Sequence, residues 1–252
     1  MTDPQLYQLP YLVIRGMTVA TIIAFYLFLN EGLNFVKKLF QIDGVTIIGG
    51  MSLTTAFLGF IYSISYTTAA VTLFMLALMP FLASLIAFIF LKEKISKQNF
   101  VSMVIAFIGT LVMIYASAFS GSFFGLIMGF ISSLGFAAFS VALRSKSDIK
   151  KFYILIYGGL FCALFSSLLM IINNQDFYIP IKNVYLSMTH GTLVASGLIL
   201  FSIGSKQLLS GELTMLSLLE VVGGIFWAWL PILGINEICL LYTSPSPRDV
   251  ST

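Results

Sequence analysis

Apolar residues in this chain fall in long continuous runs. Eight of them approach the ~20 residues that an α-helix needs to cross hydrocarbon, at about 11–29, 45–65, 69–91, 100–117, 123–142, 152–172, 184–204 and 213–234. Stretches such as Phe74–Leu91 do not alternate, which argues against the ~10-residue two-faced strands of a membrane barrel. The pattern predicts an all-α membrane protein with about eight transmembrane helices.

The polar residues that interrupt these runs carry the chemistry. Glu220 lies in the middle of Leu213–Leu233, LTMLSLLEVVGGIFWAWLPIL. A charge at that depth costs roughly 2.5–3.5 kcal/mol even on lenient insertion scales, so it faces a cavity or a partner rather than lipid. At 3.6 residues per turn, Thr214, Ser217, Glu220, Gly224 and Trp227 share one helix face. As a cavity wall, that face would let Glu220 bind a cationic or amino group or exchange a proton. As packing, it would hold a protonated Glu220 hydrogen-bonded to a neighbouring helix. His190 is the sole histidine and could titrate near neutral pH, although a lone histidine near an interface is often a satisfied side chain. In the earlier half Thr72, Tyr62 and Met75 are candidate substrate-binding residues, with plain packing as the alternative for the tyrosine and the methionine. Gly121, Gly125, Gly129, Ser133 and Ala137 recur every fourth residue and predict a close-packed helix seam.

Composition and charge agree with a membrane chain. Of 252 residues, 59% are hydrophobic and 9% charged, against about 25% charged in soluble domains. Calling the side that receives the first loop side A, that side collects Lys37, Lys38, Lys92, Lys94, Lys97, Arg144, Lys146, Lys150, Lys151 and Lys206. Side B receives Arg15 and Lys182, leaving aside Arg248. Basic residues are retained in the cytoplasm, so side A is expected to be cytoplasmic, in a plasma or inner membrane. Glu93 is read as a solvated or snorkelling residue, and Lys92–Lys94 and Arg144–Lys151 as cytoplasmic anchors. The two cysteines, 162 and 239, form neither a disulfide framework nor a metal spacing. No phosphate loop occurs, so neither a metal nor a cofactor is expected, and nothing points to nucleic acid.

Thr72–Glu93 and Thr214–Glu237 share an opening Thr, a Leu-rich turn, a mid-run break, an aromatic half and a closing Glu. They stand 142–144 positions apart and, by the loop alternation, cross in opposite directions. The breaks are Pro80 in one copy and Gly223-Gly224 in the other. Helix breakers at matching places of inverted halves point to a midplane binding site in secondary transporters. Pro and Gly are also commoner in membrane helices generally.

Several segments resemble the EamA family of the drug/metabolite transporter superfamily. TTAAVTLFMLALMPFLASLIAFIFLKEKIS with NFVSMVIAFIGTLVMIY is similar to its fourth and fifth helices, and LLEVVGGIFWAWL to its ninth. GLIMGFISSLGFAAFSVALRSK resembles its sixth and PYLVIRGMTVATII its second, with Arg15 in the expected place. The resemblance implies a ten-helix transporter of two inverted five-helix repeats. The chain would then be a fragment resembling helices two to nine, an inverted-repeat bundle lacking the first and last helix. Its parts would be a truncated repeat at 1–118, a second at 119–238, and a non-native tail at 239–252. The proline expected within the ninth helix is missing.

The function expected is a multi-pass secondary transporter of small metabolites, amino-acid-like or amphipathic, working by alternating access in the lipid bilayer. The glycine stripe could also serve a homodimer. One alternative is a non-transporting scaffold or receptor subunit. Another is an intramembrane enzyme, but Ser120, Ser196 and Ser210 lack the leading glycine of a serine-protease loop and no Asp lies in any span.

Overall fold

The computed structural model describes residues 7–67, 69–95, 97, 100–105, 107–108, 122–146, 150–217 and 219. Among them the regular elements are helices: α1 (Gln8–Glu31), α2 (Asn34–Leu39), α3 (Gly44–Tyr66), α4 (Ala69–Leu76), α5 (Met79–Leu91), α6 (Phe123–Arg144), α7 (Lys150–Ile172), α8 (Ile181–Gly204) and α9 (Ser210–Ser217). Six stretches are long and apolar enough to cross a membrane: Gln8–Glu31, Gly44–Tyr66, Val71–Leu91, Phe123–Arg144, Lys150–Ile172 and Ile181–Gly204. Their ends lie at most three residues from the sequence-based ones. The expected spans at 100–117 and 213–234 fall largely outside the described residues, as do Gly121, Glu220, Gly223, Gly224 and Trp227.

Local chemistry explains how polar residues sit in apolar helices. Thr18, Thr21, Thr55, Ser65, Thr192 and Ser196 each donate a hydroxyl to the carbonyl four residues back. Each hydroxyl is thereby satisfied without water. Asp43 caps α3 by accepting from the Thr46 backbone N–H at 2.9 Å and its hydroxyl at 2.6 Å.

The third span departs from expectation. The sequence predicts one helix over 69–91 kinked at Pro80, whereas α4 ends at Leu76 and α5 begins at Met79. The break therefore lies upstream of the proline, which occupies the first turn of α5. A proline ring collides with the carbonyl four residues earlier, here Leu76, and offers no N–H there, so the helix parts before it. Ser133 on α6 donates its buried hydroxyl to the Met75 carbonyl at the end of α4, which occupies a carbonyl beside the break.

Packing follows small residues. The principal partners of α1 are α7 and α8, those of α3 are α6 and α7, and α5 packs on α6 and α9. Where α1 crosses α7, a β-carbon built on Gly16 would lie 2.6 Å from the Gly159 carbonyl oxygen and 3.0 Å from the Ala163 nitrogen. One built on Gly159 would lie 2.7 Å from the Gly16 oxygen and 2.9 Å from the Ala20 nitrogen. The two backbones touch, and the contact is reciprocal. The helices run antiparallel: Cys162 meets the Leu12 carbonyl, while Phe152 meets Tyr26 further along α1. Where α3 crosses α6, Gly59 faces the Met128 carbonyl and Gly135 faces the Ser52 carbonyl, each at 2.7 Å from a built β-carbon. Gly125 meets Tyr66 and Thr67, and Gly129 meets Met75 and Ser63.

Polar contacts gather the helix ends of side A. Tyr153 donates to Glu31 at 2.7 Å, Lys38 pairs with Glu31 at 2.6 Å, and Lys146 pairs with Asp43. Lys151, 1% exposed, donates to the Ser202 carbonyl.

Gly16→Ala and Gly159→Ala should each destabilise the detergent-solubilised protein by about 1–3 kcal/mol, because backbone must move to admit a methyl. Gly197→Ala, with nothing within 4 Å of its built β-carbon, should gain about 0.5–1 kcal/mol from helix propensity. Thermal unfolding of the three variants checks the contrast, and equal losses would refute it.

Candidate functional site

A cavity of about 440 Å³ opens within the bundle, with walls from both halves of the chain. From α1 comes Arg15, from α3 Ala56, Phe57 and Phe60, and from the α4–α5 break Leu76 and Met79. The later half adds Ser132 and Phe136 of α6, His190 and Phe201 among others of α8, and Ser217 of α9. The volume falls in the range of small-molecule sites, about 300–1,000 Å³.

Four wall residues, Arg15, His190, Phe60 and Phe136, each sit beside a close-packed glycine. Gly16 is held against α7, so Arg15, about 100° round the helix, is turned away from that crossing. Gly191 presses on Thr18 and the Arg15 carbonyl, with a built β-carbon 2.8 Å from the Thr18 side chain, and the next residue, His190, reaches the cavity. The same relation joins Gly59 to Phe60 and Gly135 to Phe136, with each glycine on the seam and each ring in the hollow. The α4–α5 break brings Leu76 and Met79 to the wall from either side of a turn that is not helical. Irregular backbone at membrane depth is tolerated where it lines a cavity or is buried in protein.

The polar part of the hollow is compact. Arg15 is 3% exposed, and its guanidinium carbon sits 4.1 Å from the centre of the Phe57 ring, within cation–π range. The Tyr11 hydroxyl and His190 Nδ1 are 2.5 Å apart, and Ser187 donates to the Tyr11 carbonyl at 2.7 Å. Ser132 donates to the Ala56 carbonyl at 2.8 Å, and Ser217 to the Thr214 carbonyl at 2.6 Å. The rest is aromatic and aliphatic: Phe136 and Phe201 meet nearly edge to face, with centroids 5.3 Å apart. This arrangement offers a small solute the Arg15 guanidinium, the His190 ring, the hydroxyl oxygens of Ser132 and Ser217 and several π-faces.

The structure distributes the residues singled out by sequence in three ways. His190 and Ser217 line the cavity, the latter from α9. Thr72, Thr214 and Tyr62 are not among its lining residues. Thr72 is fully buried between α3 and α4, 2.9 Å from the Ser63 hydroxyl and 3.2 Å from that of Thr67. Thr214 turns its hydroxyl back to the Ser210 and Gly211 carbonyls, both at 3.0 Å. Tyr62 belongs to an aromatic cluster with Tyr66 and Phe124, at centroid distances of 6.3 Å. Glu220 and Trp227 lie outside the described residues, as do the helix-breaking Gly223 and Gly224.

Sequence reasoning missed Arg15 as a wall residue by counting it as an interfacial charge. The usable signal was its depth inside an apolar run, the same signal that drew attention to Glu220. The four phenylalanines carried no signal, since 24 residues of that type occur in the chain.

Against this geometry, comparison with family models adds a match. Residues 11–115, which supply α1, α3, α4 and α5, match the model of the EamA-like transporter family. No curated protein matches the chain.

Tyr11→Phe removes the hydroxyl that meets His190 and leaves the ring in place. The expected cost is about 0.5–1.5 kcal/mol in unfolding free energy, read by thermal or denaturant melting against Tyr7→Phe as a control.

Proposed function

We propose that this chain, whose residues 11–115 match the EamA-like transporter family of the drug/metabolite transporter superfamily, is a secondary transporter of small metabolites working by alternating access. The chain is a multi-pass membrane protein, and its family consists of transporters, not enzymes. The observation that carries the reading is the cavity: it is shared by both halves of the chain, bounded by a broken helix, and supplied with a buried guanidinium. Discontinuous helices at a midplane cavity between repeats are the common construction of secondary transporters.

Inverted repeats of 1–118 and 119–238 are supported by the α1–α7 crossing. Gly16 and Gly159 stand 143 positions apart, as do Ala20 and Ala163, which matches the offset of the sequence repeat. Each member of one pair makes on its partner the contact that the partner makes on it. Equivalent positions touching reciprocally in antiparallel helices are what an in-plane two-fold axis through the crossing requires. The packing pairs obey the same exchange: swapping α1 with α7 and α3 with α8 turns the α3–α7 contact into α8–α1. Eight spans with side A in the cytoplasm complete this reading.

The substrate class that fits is amino-acid-like or amphipathic. Arg15 suits a carboxylate, and the phenylalanine rings suit an apolar body. On the later half Glu220 would take an amino group or a proton from the same hollow. The test is uptake by proteoliposomes of the full chain, using radiolabelled amino acids and amphipathic cations as probes. Saturable flux is expected, and Arg15→Gln should weaken the apparent affinity for carboxylate substrates by about 2 kcal/mol, roughly thirtyfold, with Arg15→Lys partly restoring it. Unchanged flux in Glu220→Gln would remove that residue from the mechanism. Absence of saturable movement for every probe would favour a scaffold or receptor subunit.

A further inference from the structure

The side A ends of four helices that contribute to the cavity wall are joined by a polar link. At the end of α5, Lys92 adopts a left-handed conformation, with φ 54° and ψ 30°, and the Glu93 N–H reaches back to the Ala87 carbonyl at 3.3 Å. The chain thus turns over the helix end and points Glu93 inward instead of leaving it solvated. Its side chain is 14% exposed. One carboxylate oxygen pairs with Arg144 Nε at the end of α6, and the other accepts the Ser210 backbone N–H, at 3.1 Å, where α9 begins. Arg144 in turn donates through Nη1 to the Ser205 carbonyl, at 3.0 Å, just past α8. Four helix ends are therefore held by two side chains.

All four of these helices contribute to the cavity wall, through Met79, Phe136, Phe201 and Ser217, alongside α1, α3 and α4. Their direct packing is uneven. α5 packs on α6 and α9, but α8 rests on α1 and, more lightly, on α7, with little contact to α5, α6 or α9 among the described residues. What joins α8 to the others at this end is a layer of rings with polar contacts beyond it. The Phe201 ring lies parallel to Phe139 at 6.2 Å and meets Phe136 at 5.3 Å. Beyond them lies the Arg144 link. A contact of a few rings and one shared ion pair can part without unpacking any Gly-seamed crossing.

We propose that Glu93 and Arg144, with the Phe136–Phe139–Phe201 layer beside them, are the gate that shuts the cavity from side A. This rests on the transporter reading above and adds to it the element that must open. The energetics suit a switch. Closed, the pair is shielded, and each charge has a charge-assisted partner. Open, water reaches the same end and solvates both charges, so the desolvation penalty and the attraction vanish together. Removing one partner biases the balance toward the open form, because the closed form would then hold an uncompensated charge.

Cysteine accessibility in liposomes tests this without knowledge of the substrate. The full chain carries Cys239→Ser and a reporter, Gly197→Cys, in the cavity wall, where a side chain meets nothing within 4 Å, and Cys162 is fully buried. A membrane-impermeant sulfonate thiol reagent is applied from each side in turn. The parent should react from side B and not from side A. Glu93→Gln and Arg144→Gln should each raise the side A rate about tenfold or more. Side A rates that stay at the parent level, with side B reaction intact, would overturn the gate and leave the transporter cavity standing. A parent reporter inert from both sides would remove the cavity itself, and the gate with it. Should either glutamine variant fail to fold, Glu93→Asp decides the matter. It keeps the charge but is too short to reach both Arg144 and Ser210, so raised side A labelling supports the gate and parent-level labelling refutes it.

Discussion

Where Gly16 meets Gly159, two helix backbones touch with no side chain between them, and the cavity depends on that contact. In a bilayer a leucine is as well solvated by lipid as by another helix, so apolar burial does not decide which faces meet. Close backbone approach does, through dispersion over many atoms. Each glycine on a seam then fixes the direction of the residues beside it. Arg15, His190, Phe60 and Phe136 all enter the hollow as neighbours of a seam glycine. The site is thus a by-product of where bulk is missing, and a methyl on the seam would disturb chemistry that it never touches.

The second constraint is that no backbone polar group can be left open to hydrocarbon. It explains why the third span breaks where it does. Pro80 dissolves the helix before itself, and the Ser133 hydroxyl takes the Met75 carbonyl from across α6. A serine on the small-residue stripe therefore has two tasks, permitting close approach and serving the broken turn. The same constraint accounts for the threonines and serines that bond to their own helix four residues back. Of the polar residues deep in the bundle, Arg15 and His190 line the cavity, whereas Thr72 and Thr214 do not.

The helices meet through two kinds of contact, seams and polar ends. The α1–α7 and α3–α6 crossings are rigid because something must collide if they shift. The side A ends of α5, α6, α8 and α9 meet instead through exchangeable charges and carbonyls. The alternating access proposed above requires both kinds of contact, since a bundle of seams alone would hold the cavity open to one side.

The sequence by itself determined the membrane class, the positions of six helices to within three residues, the family of residues 11–115 and the small-residue stripe on α6. These follow from local quantities: run length, composition and helical spacing. It did not determine which faces meet, because in helices that are apolar all round the periodicity carries no inward direction. Thr72, Tyr62 and Thr214 were chosen by residue type, and only the tertiary structure placed them in a hydroxyl cluster, a ring cluster and a helix interior. Likewise the sequence read Glu93 as solvated and Arg144 as an anchor. Their pairing spans 51 positions and exists because a left-handed Lys92 turns the chain back over the bundle, a bend that helical spacing does not encode.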